Sequence, residues 1–396
     1  MPPEEEAAGR RLYPETIMTQ AIREQDEPEA FTEAGESSVQ GERFARAARS
    51  FRRRPKLALG ICLVALFYLA ALFADFLAPY DYRSQSRREL LAPQTTIRFR
   101  DEQGGWHARP FIYARRVIDP LERRYAEDTS RRYSLALFTR GHTYKLFHLI
   151  PTDIHLFGLQ DESASGSAPR IYLLGTDSLG RDRFSRLLAA ARFSLVVGPL
   201  GTLLACVLGV VLGCVAGYSG RFVDSVLMRA ADAMMSLPLL VLILAARAAF
   251  PLELPPSRAV LLLVTIFIAV GWAEMARLTR GLVVTLRERE FVLAARAIGL
   301  TRWRILFRHI LPNAAAPLIV QATILLPAFL LAETSLSFLG VGLQEPEASW
   351  GNMLMAASDV TLLRNQPLLI LSPAFAIFLF VLAVRLLSDG LRKGKR

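Results

Sequence analysis

Six long apolar runs constrain this chain more than any other feature. They lie near residues 57–77, 194–217, 234–250, 258–276, 314–336 and 367–387, and a bilayer's hydrocarbon core takes about 20 mostly apolar residues per helix. Hydrophobic residues fill 52% of the 396 positions and charged residues only 21%, so the charges are segregated from the runs, as in a polytopic membrane protein. The third run, "MMSLPLLVLILAARAAF", is short and holds Pro238; its Arg247 sits near one end, placed to snorkel to the headgroups. The expected fold is all-α and polytopic, with six transmembrane helices.

A net charge of +11 raises nucleic acid as a partner, but the positions of the charges argue against it. Arginines cluster before the first run ("RFARAARSFRRRPK"), between the fourth and fifth, and after the sixth ("LRKGKR"). With six spans these places share one side, cytoplasmic by the positive-inside rule, so both termini are expected in the cytoplasm. The basic segment from about 81 to 172 falls outside, and loops of that length escape the rule. Cys62, Cys206 and Cys214 all lie within apolar runs and read as packing residues. Residues 1–45 are acidic, with Pro and Ser and little apolar periodicity, and are expected to be a disordered tail. The basic segment and first span follow over 46–80.

The outside segment, 81–172, carries short apolar bursts separated by turn residues and predicts a small folded insertion of mixed structure. Within it "IRFR", "DEQGG" and "WHARPFIY" predict a hairpin with a glycine-containing loop. His142, His148 and His155 have no metal-site spacing and read as surface or loop histidines. In "YLLGTDSLGRDRFSRLLAAARFSL", Gly175 makes a turn and Thr176, Asp177 or Ser178 can cap a helix. Phe184, Leu187, Leu188 and Ala191 then recur at helical spacing, predicting an amphipathic helix at the outer surface before the second span. Gly209, Gly213 and Gly217 recur every four residues, which suits close helix packing either within one subunit or between subunits.

Between the fourth and fifth spans, about 277–312, lies a polar stretch with eight arginines. Glu288 and Glu290 stand near a helix start, and Gly299 where that helix would stop. Phe291, Ala294, Ala295 and Ile298 are expected on one face, where small side chains let another body approach. Thr301 is placed to cap a second short helix, "RWRILFRHIL", that Pro312 would end. Such a pair suits either docking to a partner or lying on anionic headgroups. Glu274, Glu333, Arg247 and Arg385 lie near span ends, where solvation or pairing accounts for them.

The spacing of Ala294, Ala295, Gly299, Leu311 and Pro312 resembles the cytoplasmic signature loop of permease subunits from binding-protein-dependent ABC importers: Glu-Ala-Ala, three residues, Gly, nine residues, Ile, any, Leu-Pro. Leu293 and His309 stand where that family has Glu and Ile. "GTDSLGRD", "GYSGRFVDSVLMRAAD", "FRHILPN", "AETSLSFLGVGLQEPEASWGNML" and "LLSDGLR" resemble the dipeptide/oligopeptide/nickel branch, in particular its oligopeptide type C subunit. The resemblance covers the first span and about 173–396. It implies a type I importer permease core with five transmembrane helices over 173–396 and a mixed-structure extracytoplasmic insertion before it. It also implies a coupling helix over 290–299 against an ATPase. The coupling residues would be Phe291, Ala294, Ala295, Arg296, Ile298, Gly299, Leu311 and Pro312, and the outer structural motif Gly175, Thr176, Asp177, Gly180, Arg181 and Asp182.

The same resemblance implies a second permease, two cytoplasmic ATPases, a solute-binding protein and the inner membrane of a prokaryote, with short peptides or related solutes such as nickel complexes as cargo. The insertion's position suggests contact with the binding protein or a plug at the cavity entrance. No G-x-x-x-x-G-K-S/T phosphate loop, nucleophile–base set or metal cluster occurs in the sequence, so the chain is expected to be no enzyme and to bind no cofactor, with ATP and magnesium on the partners. A secondary transporter would show internal repeats and midplane charges. A non-transporting scaffold would leave the paired-helix loop without a purpose.

Overall fold

The computed structural model describes residues 54–119, 123–147, 149–160 and 169–392. The tail expected over 1–45, the arginine-rich residues 46–53, His148 and residues 393–396 lie outside the described residues. The described chain opens with α1 (Pro55–Leu72) and the single turn α2 (Ala74–Leu77). A four-stranded antiparallel sheet follows in the order β1 (Arg98–Arg100), β2 (Trp106–Asp119), β3 (Arg124–Leu146), β4 (Ile150–Leu159). Then come α3 (Arg183–Tyr218), α4 (Arg221–Met235), α5 (Leu239–Ala248), α6 (Pro256–Leu286), α7 (Glu290–Ala297) and α8 (Arg302–Ile305). A π-helical turn, Leu306–Ile310, leads into α9 (Leu311–Phe338), followed by α10 (Trp350–Leu354), α11 (Val360–Asn365) and α12 (Leu368–Arg392).

Five helical stretches are long and apolar enough to cross a membrane: α1, α3, α6, the continuous run from α8 through α9, and α12. The third apolar run does not make a straight span. Its helix α5 has ten residues, about 15 Å, against a hydrocarbon core of about 30 Å. It meets α4 at a 90° bend, and only the bent pair together makes a sixth candidate. Pro238, which has no N–H to continue the preceding helix, stands at the start of α5. Arg247 does not snorkel: it is 1% exposed. Its guanidinium donates to the carbonyls of Phe250, Pro251 and Leu252 at 3.0–3.2 Å, satisfying acceptors just past the helix end.

The amphipathic surface helix expected before the second span is instead the first part of α3, a single helix of 36 residues. Arg183 and Arg186 are buried by pairing rather than turned to water, so nothing breaks the helix there. Its cap is Asp182, whose carboxylate accepts from the Ser185 N–H at 2.9 Å. Asp177 to Gly180 form a turn further upstream, closed by a bridge between Thr176 and Asp182.

The glycine stripe on α3 works inside this subunit. A Cβ on Gly209 would meet the Trp272 carbonyl at 2.6 Å, one on Gly213 the Ala276 carbonyl at 2.5 Å, and one on Gly217 the Val283 side chain at 2.7 Å. These glycines let α3 lie directly on the backbone of α6. Gly213→Val is therefore expected to destabilise the bundle by about 1–3 kcal/mol through overpacking. Denaturant unfolding in detergent reads this, and an unchanged midpoint would show that α3 and α6 do not meet there. Cys206 and Cys214 are buried in the same region, whereas Cys62 is exposed on α1.

Within 98–159 the described residues form sheet and no helix, so the expected mixed structure is corrected to all-β. The predicted hairpin is present: β1 and β2 join through Gly104, at φ +88°. Strand β3 is long enough to pair with β2 through its first half and β4 through its second. Ile112, Leu159 and Ile171 form the sheet's small core, with Tyr133, Leu135 and Phe157 packed around them. His155 is not a surface residue. It is 1% exposed, with Nδ1 2.7 Å from the Ala78 carbonyl and Nε2 3.0 Å from that of His142, which ties the sheet to the end of α2.

Candidate functional site

The arginine-rich loop folds as two helices joined by a glycine turn. Glu290 lies in the first turn of α7 and Arg296 in its last, each at the favoured end of the helix dipole. Gly299 ends the helix at φ +80°. Its N–H bonds to the Arg296 carbonyl at 2.9 Å and that of Leu300 to the Ala295 carbonyl at 3.2 Å, a Schellman pair. Nothing lies within 4 Å of a Cβ built on Gly299, so backbone conformation alone calls for glycine there.

Val292 and Ala295 are the buried residues of α7. They pack with Cys214, Val283 and Ile305 of α3, α6 and α8 and with Leu306 and Ile310 of the π-helical turn. Phe291, Leu293, Ala294, Arg296, Ile298 and Gly299 are exposed, Ile298 at 77%. The expected single face is thus divided. Ala295 stacks one turn from Val292 and faces the bundle, while Phe291, Ala294 and Ile298 remain free; successive residues are about 100° apart around the axis. Beside the loop, Asp224 of α4 pairs with Arg280 at 2.6 Å and Asp232 with Arg277 at 3.1 Å. These pairs dock α4 on the end of α6.

Pro312 does not end the second helix. The run from Arg302 to Phe338 is continuous because the π-helical turn widens it just before the proline. The Leu311 N–H reaches back to the Leu306 carbonyl, easing the clash that a proline ring makes inside a regular helix. Asn313 Nδ2 also donates to the His309 carbonyl at 2.6 Å. Leu311 is half-buried and Pro312 exposed. Thr301 occupies the N-cap position of α8 without a side-chain cap bond.

The motif "GTDSLGRD" forms a latch at the other end of α3. Gly175 and Gly180 hold φ of +75° and +74°, and any Cβ would strike the carbonyls of Ala92 and Ser86 respectively. The Thr176 hydroxyl accepts from the Ala92 N–H at 2.7 Å and donates to the Glu89 carbonyl. Asp177 accepts from the backbone N–H groups of Leu179 and Arg181, both at 2.9 Å, and from Arg181 Nε at 2.7 Å. Arg181 and Arg186 then both reach Glu345, in the loop between α9 and α10. Arg183 donates to the Leu369 carbonyl in α12. All six expected motif residues therefore meet in one turn, where they join α3 to the segment before the sheet and to the last third of the chain. Glu345 lies in a quoted motif, but its pairing across 164 residues has no local signal.

Asp182 is 2% exposed, and burial pushes its carboxyl from an ordinary 3.8 up to about 6, against the pull of the Ser185 hydrogen bonds. Its Oδ1 has no partner among the described residues. A raised acid pKa favours folding below the unfolded value, and that contribution is lost as pH rises through the folded one. Asp182→Asn should therefore gain stability relative to the native chain between about pH 4 and pH 7. A pH-independent difference between the two unfolding curves would contradict the buried acid.

Two carboxylates near span ends separate clearly. Glu274 is exposed and accepts from Gln321 Nε2 at 3.0 Å. Glu333 is fully buried between α3 and α9, where the hydroxyls of Ser194 and Ser337 donate to it at 3.1 and 2.8 Å. Its partners are serines and not the arginine or water expected near a helix end.

Residues 209–395 match the family described as "Binding-protein-dependent transport system inner membrane component", and residues 43–93 match the "N-terminal TM domain of oligopeptide transport permease C". A putative peptide permease protein of Brucella suis biovar 1 is 37% identical over 243 residues, which are 61% of this chain and 76% of that one. A dipeptide transport system permease protein of Bacillus subtilis is 40% identical, covering 55% of this chain and 66% of that one. An oligopeptide transport system permease protein of the same species is 35% identical, covering 55% and 69%. Among solved structures, a chain of the MetNI methionine ABC transporter in an inward-facing conformation is 16% identical, with coverage of 53% and 94%. Its TM-score is 0.37. The helix–glycine–helix loop falls within the matched residues 209–395, and this chain belongs to the family of inner-membrane components of binding-protein-dependent transport systems.

Proposed function

We propose that this chain is the type C-like permease of an ATP-driven importer that carries short peptides into the cell, coupled to its ATPases through α7. The observation that carries this reading is the form of the 277–312 loop. A short helix outside every span presents Phe291, Ala294 and Ile298 outward while Val292 and Ala295 fix it to three other helices. Force applied to that exposed face is passed to the ends of α3, α6 and α8 as a rigid body. Closure of a bound ATPase would then tilt the spans and switch a shared cavity between inward- and outward-facing states.

Peptide cargo is supported by the names of the relatives above. Pairing with a second permease completes the pathway, a binding protein delivers the solute, and ATP and magnesium are handled by two ATPase subunits, since this sequence has no phosphate loop. With the bent α4–α5 pair counted as a sixth span, the arginine clusters support cytoplasmic termini. The test is reconstitution with the neighbouring permease and ATPases, measuring ATP hydrolysis with and without peptide-loaded binding protein. Stimulated hydrolysis with peptide uptake is expected; a folded chain that assembles with no ATPase would overturn the reading.

A further inference from the structure

The sheet ends in an apolar tip that no described residue covers. At the β3–β4 turn Leu149 is 80% exposed and Ile150 58%, and Phe138 on the same hairpin is 66% exposed. Hairpin turns in water favour Gly, Asn and Asp, so this composition calls for an apolar neighbour.

The height of the tip identifies that neighbour. The Phe147 ring packs edge-on against Phe73 with centroids 5.3 Å apart, and Phe138 lies 6.3 Å from Phe76. Phe73 and Phe76 flank Asp75 at the end of the first span. Asp75 pairs with Arg192 of α3 at 2.8 Å, and an ion pair joining two spans there belongs at headgroup level. Phe138 and Phe147 both adopt left-handed backbone, φ 56° and 53°, a conformation bulky residues rarely take. The tip is also continuous with a lipid-facing surface, since Leu66, Leu69 and Leu72 on α1 are each at least half exposed. Tyr144 and the exposed Lys145 stand just before the tip, the aromatic and basic pairing typical of membrane interfaces.

We propose that the β3–β4 turn is a membrane anchor, with Phe138, Phe147, Leu149 and Ile150 seated in the headgroup–acyl boundary beside the end of α1. Lys145 would meet lipid phosphate. The anchor would hold the sheet against the bilayer at a fixed height over the spans. The inference needs only that α1 crosses the membrane, and it stands apart from the peptide reading.

The test is a spin label on Leu149→Cys in the full chain, reconstituted in phosphatidylethanolamine–phosphatidylglycerol vesicles. The background carries Cys62→Ser, because Cys62 is exposed. Gln103→Cys, in the β1–β2 turn, is the water reference, and Ile150→Cys is a second tip position. Oxygen should relax the label at 149 and 150 several-fold more than an aqueous nickel chelate does, with the reverse at 103. Equal access of the chelate at 103, 149 and 150 would overturn the proposal. A label shielded from both relaxants would also overturn it, because the tip would then be covered by protein.

Discussion

Replacing Ala294 with arginine is expected to reduce ATP-driven uptake on the order of tenfold or more, because blocking a central docking contact typically costs about 2 kcal/mol or more. Ala294 is exposed on α7 while Val292 and Ala295 hold the helix to the bundle. The substitution adds bulk and charge at the proposed ATPase contact and touches no internal packing. Unfolding in detergent should therefore match that of the native chain, while peptide-stimulated hydrolysis and uptake both fall. Ala295→Arg is the informative contrast. It forces a cation among Cys214, Val283 and Ile305 and should lower the unfolding midpoint as well as uptake. Normal uptake by Ala294→Arg would remove α7 as the coupling element.

Asp177→Ala is expected to destabilise the chain by about 3–5 kcal/mol, the usual consequence of removing one partner from a buried ion pair. Arg181 and Arg186 have side chains only 6% and 3% exposed. Without Asp177 they would share Glu345 alone, and the Leu179 and Arg181 backbone N–H groups would lose their acceptor. Asp177→Asn keeps an acceptor for those two N–H groups and removes only the charge, so its effect should be smaller. Denaturant unfolding of the two variants in detergent separates these contributions. Equal losses would assign the latch to its ion pairs rather than its backbone bonds. No loss in either variant would show that the turn does not hold α3 to the last third of the chain.

Legibility followed the range of the forces involved. The main spans, the hairpin at Gly104 and the stop at Gly299 could be read from the sequence because hydropathy and positive-φ glycines act within a few residues. The third apolar run misled because hydropathy counts residues and not directions: Pro238 turns the chain, leaving α5 ten residues long. Pro312 misled in the opposite sense, since the π-helical turn at Leu306–Ile310 absorbs a ring that would otherwise break a helix. The stretch ahead of the second span read as an amphipathic surface helix, but partners from distant segments bury Arg183 and Arg186 within it.

By itself the sequence determined that the chain is a helical membrane protein with a polar two-helix loop between spans, since segregated charge and apolar length permit little else. Only the tertiary structure decided which residues of α7 are free, that the α3 glycines serve α6 within the same subunit, that Glu333 is held by serines and that Arg181 and Arg186 share Glu345. These depend on which distant segments meet, and burial and ion pairing take their sign from the neighbour that arrives.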